Sequence, residues 1–249
     1  MTAGRFDGKV ALITGAGSGI GREVALRLTS EGATVFGHDR DGARLAETVE
    51  LAGGGLVTRV GDVTDPAECK ATVEACVAEH GRLDILGNIA GIARSEHFTD
   101  VTVEQYRQMM GVNIDAYVFF AQAAIPHLVE SGGNIVNIAS NAGLMGQAYT
   151  VVYCVSKGAV VQLTRALAME FVKTKLRVNA IAPGGVNTNL VQNYQVPADI
   201  DFELMQPYMG FRGMAEATEI AGLFAYLASD EASSISGAVM SIDNALTAG

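Results

Sequence analysis

Short apolar runs alternate with stretches of helical spacing along nearly the whole chain, and this alternation limits the fold more than any other feature. Lys9-Val10-Ala11-Leu12-Ile13-Thr14 is the first run, and Val24, Ala25 and Leu28 then recur at helical spacing until Gly32. Further runs fall at 33–38, 56–61, 84–88, 133–138, 177–181 and 237–242. Helical patterns lie between them near 43–47, from Asp65-Pro66 onward, and over 103–128, 152–171 and 217–227. Strands separated by helices build βαβ units, which need a parallel sheet covered on both faces. Right-handed crossovers then predict a doubly wound, Rossmann-like α/β fold in a single domain. The one long irregular stretch, 187–213, carries Pro197, Pro207 and Gly210 and reads as a substrate lid.

The first strand runs straight into Thr14-Gly15-Ala16-Gly17-Ser18-Gly19-Ile20-Gly21, which opens a helix. A helix N-terminus presents unpaired N–H groups and a positive dipole end, and glycines let backbone approach a pyrophosphate closely. Gly15, Ser18, Gly19 and Ile20 are therefore the candidate phosphate-binding positions. Ile20 stands where the third glycine of G-x-G-x-x-G would fall, so the spacing is G-x-x-x-G-x-G. Asp39 ends the second strand; a carboxylate there accepts hydrogen bonds from ribose hydroxyls and repels a 2′-phosphate, which favours NAD over NADP. Arg40 beside it works the other way.

Tyr153 and Lys157 stand four residues apart in a helical stretch, which places a phenol and an ammonium on one face. A free phenol titrates near 10, too high for a general base at neutrality, and an adjacent cation lowers it. Ser140 ends the fifth strand and can hold a substrate oxygen as an oxyanion donor does. Asn113 lies inside the long helical pattern, where Asn is unfavourable unless it kinks a turn and holds a proton-relay water.

Composition excludes several alternatives. Hydrophobic residues make up 49% and charged residues 18%, enough for a sizeable core, and the net charge of −10 argues against a nucleic-acid surface. Cys69, Cys76 and Cys154, with four scattered histidines, offer neither a disulfide framework nor zinc spacing, so no metal is expected. No run approaches the roughly 20 apolar residues of a membrane span and the first residues lack an apolar signal core, so a soluble cytoplasmic protein is expected.

The turn from Thr14 to Gly21, Asn88-Ile89-Ala90-Gly91, Asn113, Ser140, Tyr153, Lys157 and Pro183-Gly184 occur in an order that closely resembles the short-chain dehydrogenase/reductase family, over roughly residues 7 to 243. The resemblance implies that Tyr153 is the acid/base, with Lys157 lowering its pKa and binding the nicotinamide ribose. It implies that Ser140 orients substrate and that Asn113 supports a water-mediated relay. Asp62 and Val63 would lie beside adenine, and Asn88, Ala90 and Gly91 would line the cofactor. Pro183, Gly184, Val186 and Thr188 would hold the nicotinamide, and a homotetramer is implied. Two departures stand out: Ile89 replaces an asparagine, and Ile242-Asp243-Asn244-Ala245 replaces Val-Asp-Gly-Gly at the last strand.

The function expected is an NAD-dependent oxidoreductase interconverting a small secondary alcohol and a ketone. The lid's Leu190, Val191, Tyr194, Phe202, Leu204, Met205, Tyr208, Met209 and Phe211 either cover an apolar substrate or pack onto the body. Arg94 follows the fourth strand and Arg212 ends the lid, where either could meet a substrate carboxylate. The alternatives are an NADPH-linked 3-ketoacyl-carrier-protein reductase and a non-catalytic NAD-binding regulator. The intact Ser140, Tyr153 and Lys157 argue against the regulator.

Overall fold

The computed structural model describes residues 4–192, 194 and 196–248; Asn193 and Gln195 of the expected lid lie outside the described residues, as do the first three residues and the last. Seven strands form one parallel sheet: β1 (Val10–Thr14), β2 (Thr34–Asp39), β3 (Leu56–Val60), β4 (Ile85–Asn88), β5 (Asn134–Ile138), β6 (Arg177–Pro183) and, last in the chain, β9 (Val239–Ile242). Their order is β3-β2-β1-β4-β5-β6-β9, and the direction of winding reverses between β1 and β4, where an open α/β sheet offers a crevice at its carboxyl edge.

Helices α1 (Gly19–Ser30), α2 (Gly42–Ala52) and α9 (Ala217–Ala228) cover one face, and α3 (Pro66–His80), α5 (Ala116–Ser131) and α6 (Val151–Glu170) cover the other. Each face buries its own core. Val24, Ala25, Leu28 and Phe224 meet Ala11, Ile13 and Val136 on one side, while Cys69, Val73, Cys76, Phe120 and Leu128 meet Leu12 and Leu86 on the other. Cys69 and Cys76 thus share one buried helix face, and burial pushes both thiols up to about 12, which leaves them inert filler. Asp41 and Asp65 cap α2 and α3, accepting from Ala43 and Arg44 and from Ala67, with Pro66 in the first turn.

The expected continuous helix over 103–128 is three pieces: α4 (Val103–Met110), a π-helical turn (Gly111–Asp115) and α5. The pieces form an apolar stretch, Val103–Ser131, long enough by length and composition to cross a bilayer, against the sequence expectation. Its Tyr117, Phe120, Ala124 and Leu128 are spent on the protein core. The 187–213 segment is not structureless. A short ladder, β7 (Val186–Asn187) with β8 (Ala215–Glu216), closes its base, and α7 (Asn189–Gln192) and α8 (Gln206–Met209) lie within it.

Ile89 fills the place of the missing amide with apolar contact, packed in the first core. The changed last-strand motif also has a conformational meaning. Asn244 and Ala245 have φ of 57° and 69°, in the left-handed region that favours glycine, and Asn244 Nδ2 donates to the Gly213 carbonyl at 2.7 Å.

Candidate active site

The glycine turn sits at the β1/β4 switch point and is built to exclude side chains. A Cβ on Gly21 would fall 2.0 Å from the Gly15 carbonyl oxygen, and one on Gly15 would press on the Ala90 backbone at 3.0 Å. Ser18 has N-cap backbone geometry but caps nothing with its side chain, which leaves the first-turn N–H groups of α1 at Gly19 and Ile20 without a cap from it. Arg22 braces the turn from below, donating to the Gly17 carbonyl at 2.7 Å and to Thr48 Oγ1, which itself donates to the Ala16 carbonyl. Nothing in the sequence pattern singled out Arg22 or Thr48.

Asp39 closes the cradle on one side. Its Oδ2 accepts from Gly17 N and its Oδ1 from Asp41 N, each at 3.0 Å, so the carboxylate is fixed at the rim of the turn. Asp62 is held by Thr64 through both N–H and hydroxyl; the backbone bond from Thr64 leads in keeping its carboxyl below the usual range. Val63 follows it, half-buried between the second and third cores. Across the crevice, Gly184 packs so tightly on Asp243 that a Cβ would stand 3.0 Å from its Cα, and Val186 is buried. Thr188 comes over the phosphate turn, its methyl 3.2 Å from where a Gly19 Cβ would be. These features fit a dinucleotide: uncapped helix N–H groups for a pyrophosphate, a fixed carboxylate for a ribose, and a second wall beyond Pro183.

Asn88 uses its side chain structurally. Its Nδ2 donates to Asn137 Oδ1 at 2.9 Å, and Asn137 in turn donates to Thr164, a polar ladder joining β4, β5 and α6. Thr14 Oγ1 accepts from Ile89 N and Ala90 N, which holds the loop after β4 against β1.

Four expected residues converge at the far end of the crevice. A Cβ on Gly91 would stand 3.5 Å from Asn113 Oδ1 and 3.6 Å from Lys157 Nζ. Lys157 is buried; its Nζ donates to the Ile138 carbonyl at 2.7 Å and lies 5.4 Å from the Tyr117 ring and 6.0 Å from the Tyr153 ring. Asn113 is fully buried in the π-turn: Oδ1 accepts from Ile92 N, while Nδ2 reaches the Ile92 carbonyl and Ser156 Oγ. Ser140 precedes a 3₁₀ turn, Asn141–Gly143, and its hydroxyl donates to Asn141 Oδ1 and accepts from Ala142 N. Gly143 lets this turn press on α6, where a Cβ would meet the Lys157 carbonyl at 2.6 Å.

Burial dominates the titration of the pair. It pushes the Tyr153 phenol above its ordinary value, with a hydrogen bond to Ser140 acting in the opposite sense, and brings Lys157 down to about 7. The lowering expected of Tyr153 is thus not a property of the protein groups alone, because desolvation penalises both charged forms. Tyr117 and Asn141 escaped the sequence reading; nothing at their positions distinguishes them from core and turn residues.

The lid touches the body through polar atoms. Tyr194 Oη lies 3.5 Å from the Arg94 carbonyl and Tyr208 Oη donates to the Ala148 carbonyl at 2.7 Å, while Phe202, Leu204, Met209 and Phe211 are exposed. Each of those four is more than half exposed. Arg94 lines a cleft with Tyr149, Thr150 and Tyr153, and both Arg94 and Arg212 are exposed. Among the described residues no three His, Cys, Asp or Glu side chains gather in a metal-binding group.

Comparison with known proteins agrees with this geometry. The family model described as short chain dehydrogenase matches residues 9–198. The meso-2,3-butanediol dehydrogenase of Serratia marcescens is 36% identical over 98% of this chain and 96% of its own. The 2,5-dichloro-2,5-cyclohexadiene-1,4-diol dehydrogenase of Sphingobium indicum is 40% identical over 99% of both. A short-chain dehydrogenase from Mycobacterium paratuberculosis, solved with NAD bound, superimposes with a TM-score of 0.91 at 32% identity, covering 99% of this chain and 100% of that one.

Proposed function

Because the chain belongs to the short-chain dehydrogenase/reductase family of nicotinamide-dependent oxidoreductases, we propose that it is an NAD-dependent dehydrogenase interconverting a secondary alcohol and a ketone. The observation that carries this reading is the meeting of Gly91, Asn113, Lys157 and Tyr153 at the end of a crevice whose other end is the glycine turn. Both curated relatives are named for diols, which supports an alcohol carbon as the reacting centre.

In this reading Gly15, Ser18, Gly19 and Ile20 hold the pyrophosphate, Asp39 the adenosine ribose, Asp62 and Val63 flank adenine, and Asn88, Ala90 and Gly91 line the cofactor through their backbone. Pro183, Gly184, Val186 and Thr188 bound the nicotinamide end. When bound, oxidised NAD would supply an acceptor for the hydride of the carbinol carbon and a positive charge beside the phenol. Tyr153 removes the hydroxyl proton, Ser140 holds the oxygen, and Lys157 binds the ribose and passes the proton onward. The Asn113 side chain is already engaged by Ile92 and Ser156, so what it offers a relay water is its main chain. Asp39 favours NAD, since its carboxylate at Gly17 repels a 2′-phosphate. Val118, Val155 and Met169 are apolar and exposed on α5 and α6, which supports assembly into a homotetramer through these helices.

The test is a panel of secondary alcohols and diols with NAD⁺ and with NADP⁺, following reduced cofactor. Turnover with NAD⁺ at the higher kcat/KM is expected. Turnover with NADP⁺ alone, or tight NAD⁺ binding with no turnover on any alcohol, would overturn the reading.

A further inference from the structure

Tyr149 has φ of 61°, a conformation that a bulky L residue adopts only when its surroundings hold it there. It lies one residue before the N-cap of α6, the helix that carries Tyr153 and Lys157. Three segments meet on it. Its carbonyl accepts from Glu96 N at 2.8 Å, which ties it to the loop after β4. Its Oη accepts from Asp201 N at 2.8 Å, which ties it to the far part of the lid. Its ring meets the His97 ring edge-on at 5.2 Å, and His97 Nε2 reaches Asp199 Oδ1 at 2.9 Å. The preceding carbonyl, of Ala148, takes the Tyr208 hydroxyl. Tyr149 also lines the cleft that contains Tyr153, together with Arg94, Glu96 and Thr150.

We propose that Tyr149 is a positioning residue for substrate: a strained pin that joins the lid, the loop after β4 and the first turn of α6, and so sets the width of the cleft in front of Tyr153. The proposal rests on the dehydrogenase reading for what fills the cleft, but the pin itself is independent of it. The strain is informative because a glycine or asparagine at 149 would adopt this backbone at lower cost. A tyrosine there is the residue type that supplies a ring for His97 and a hydroxyl for Asp201 while spanning from helix to lid. The hydrogen bond to Asp201 is exposed and so is Asp199 of the His97–Asp199 pair, so the pin is weak enough to open for substrate exchange.

Tyr149→Phe removes the Asp201 bond and keeps the ring and backbone. Hydrogen exchange of the 199–208 amides, the NAD⁺ dissociation constant and steady-state kinetics on a secondary alcohol at saturating NAD⁺ are compared with wild type. A lost hydrogen bond of ordinary strength predicts exchange about two- to tenfold faster and KM raised by a similar factor. The limiting kcat and NAD⁺ affinity stay within twofold. Unchanged exchange and unchanged KM would overturn the proposal, and so would a joint fall of kcat, NAD⁺ affinity and thermal stability, which marks a merely structural residue. Wild type that turns over no alcohol would sink the dehydrogenase reading, and exchange alone would then decide the pin. Tyr208→Phe, which loses the neighbouring bond to Ala148, gives the same split if the lid is held at this point.

Discussion

Lys157 pays for its place under the crevice, and that cost has a sign that pH reveals. Burial brings its pKa down from 10.5 to about 7, so between those values the unfolded chain holds a proton that the folded protein does not. Stability contributed at this residue therefore rises with pH across that window and is lowest below about pH 7. Lys157→Met, with no charge to bury, is expected to be more stable than wild type by a few kcal/mol at about pH 6, with the gap closing towards pH 10, read by urea denaturation at each pH. A gap independent of pH would mean that the ammonium is not desolvated. Ala245 offers a second residue-scale test. Its φ of 69° predicts that Ala245→Gly stabilises the protein by about 1 kcal/mol in the same assay. Asp39→Ala is expected to shrink the ratio of NADP to NAD dissociation constants about tenfold or more, the scale of a charged hydrogen bond; an unchanged ratio would remove the ribose role. Lys157 and Asp39 stood out in the sequence by their charge and spacing, and Ala245 because it breaks a glycine motif. Tyr149 did not, since its meaning lies in a backbone angle and in partners far along the chain.

At the scale of elements, the alternation of apolar runs and helical spacing located all seven sheet strands, and the ends moved by only a residue or two. The long helix is the instructive miss. Periodicity reads 103–128 as one helix because apolar residues recur at helical spacing on both sides of the break. What opens the π-turn is Asn113 reaching Ile92, a contact between residues 21 apart, and no local pattern encodes it. The Asn itself was the only trace, a poor helix former inside an apolar run. Asn113→Ala would leave the Ile92 N–H and carbonyl unpaired in a partly buried site, and a loss of about 2–4 kcal/mol on chemical denaturation is expected. A loss below about 0.5 kcal/mol would show that the turn forms without it. The 187–213 segment stood out as a break in pattern, but which of its apolar residues are exposed did not, because hydrophobicity alone does not say which neighbour a side chain finds.

At the scale of the whole molecule, one aspartate joins the amino edge of the sheet across three strands, through its carboxylate and its main chain. Asp84 is nearly fully buried; its Oδ2 accepts from Val10 N, its carbonyl from Asn134 N, and Arg82 grips both carboxylate oxygens. Asp84→Ala leaves Val10 N unpaired, and since Arg82 is half-exposed the expected loss is about 2–3 kcal/mol, read as a fall in the denaturation midpoint. The proposed site lies at the opposite, carboxyl edge, so this loss should leave NAD⁺ affinity of the folded protein unchanged. The central claim is that Tyr153 moves the proton while the rest of the crevice holds the cofactor. It is tested most directly by Tyr153→Phe, with calorimetric NAD⁺ binding and alcohol turnover measured on the same preparation. The account predicts that turnover falls by about 10²-fold or more while the NAD⁺ dissociation constant stays within threefold of wild type. Turnover within tenfold of wild type would contradict it.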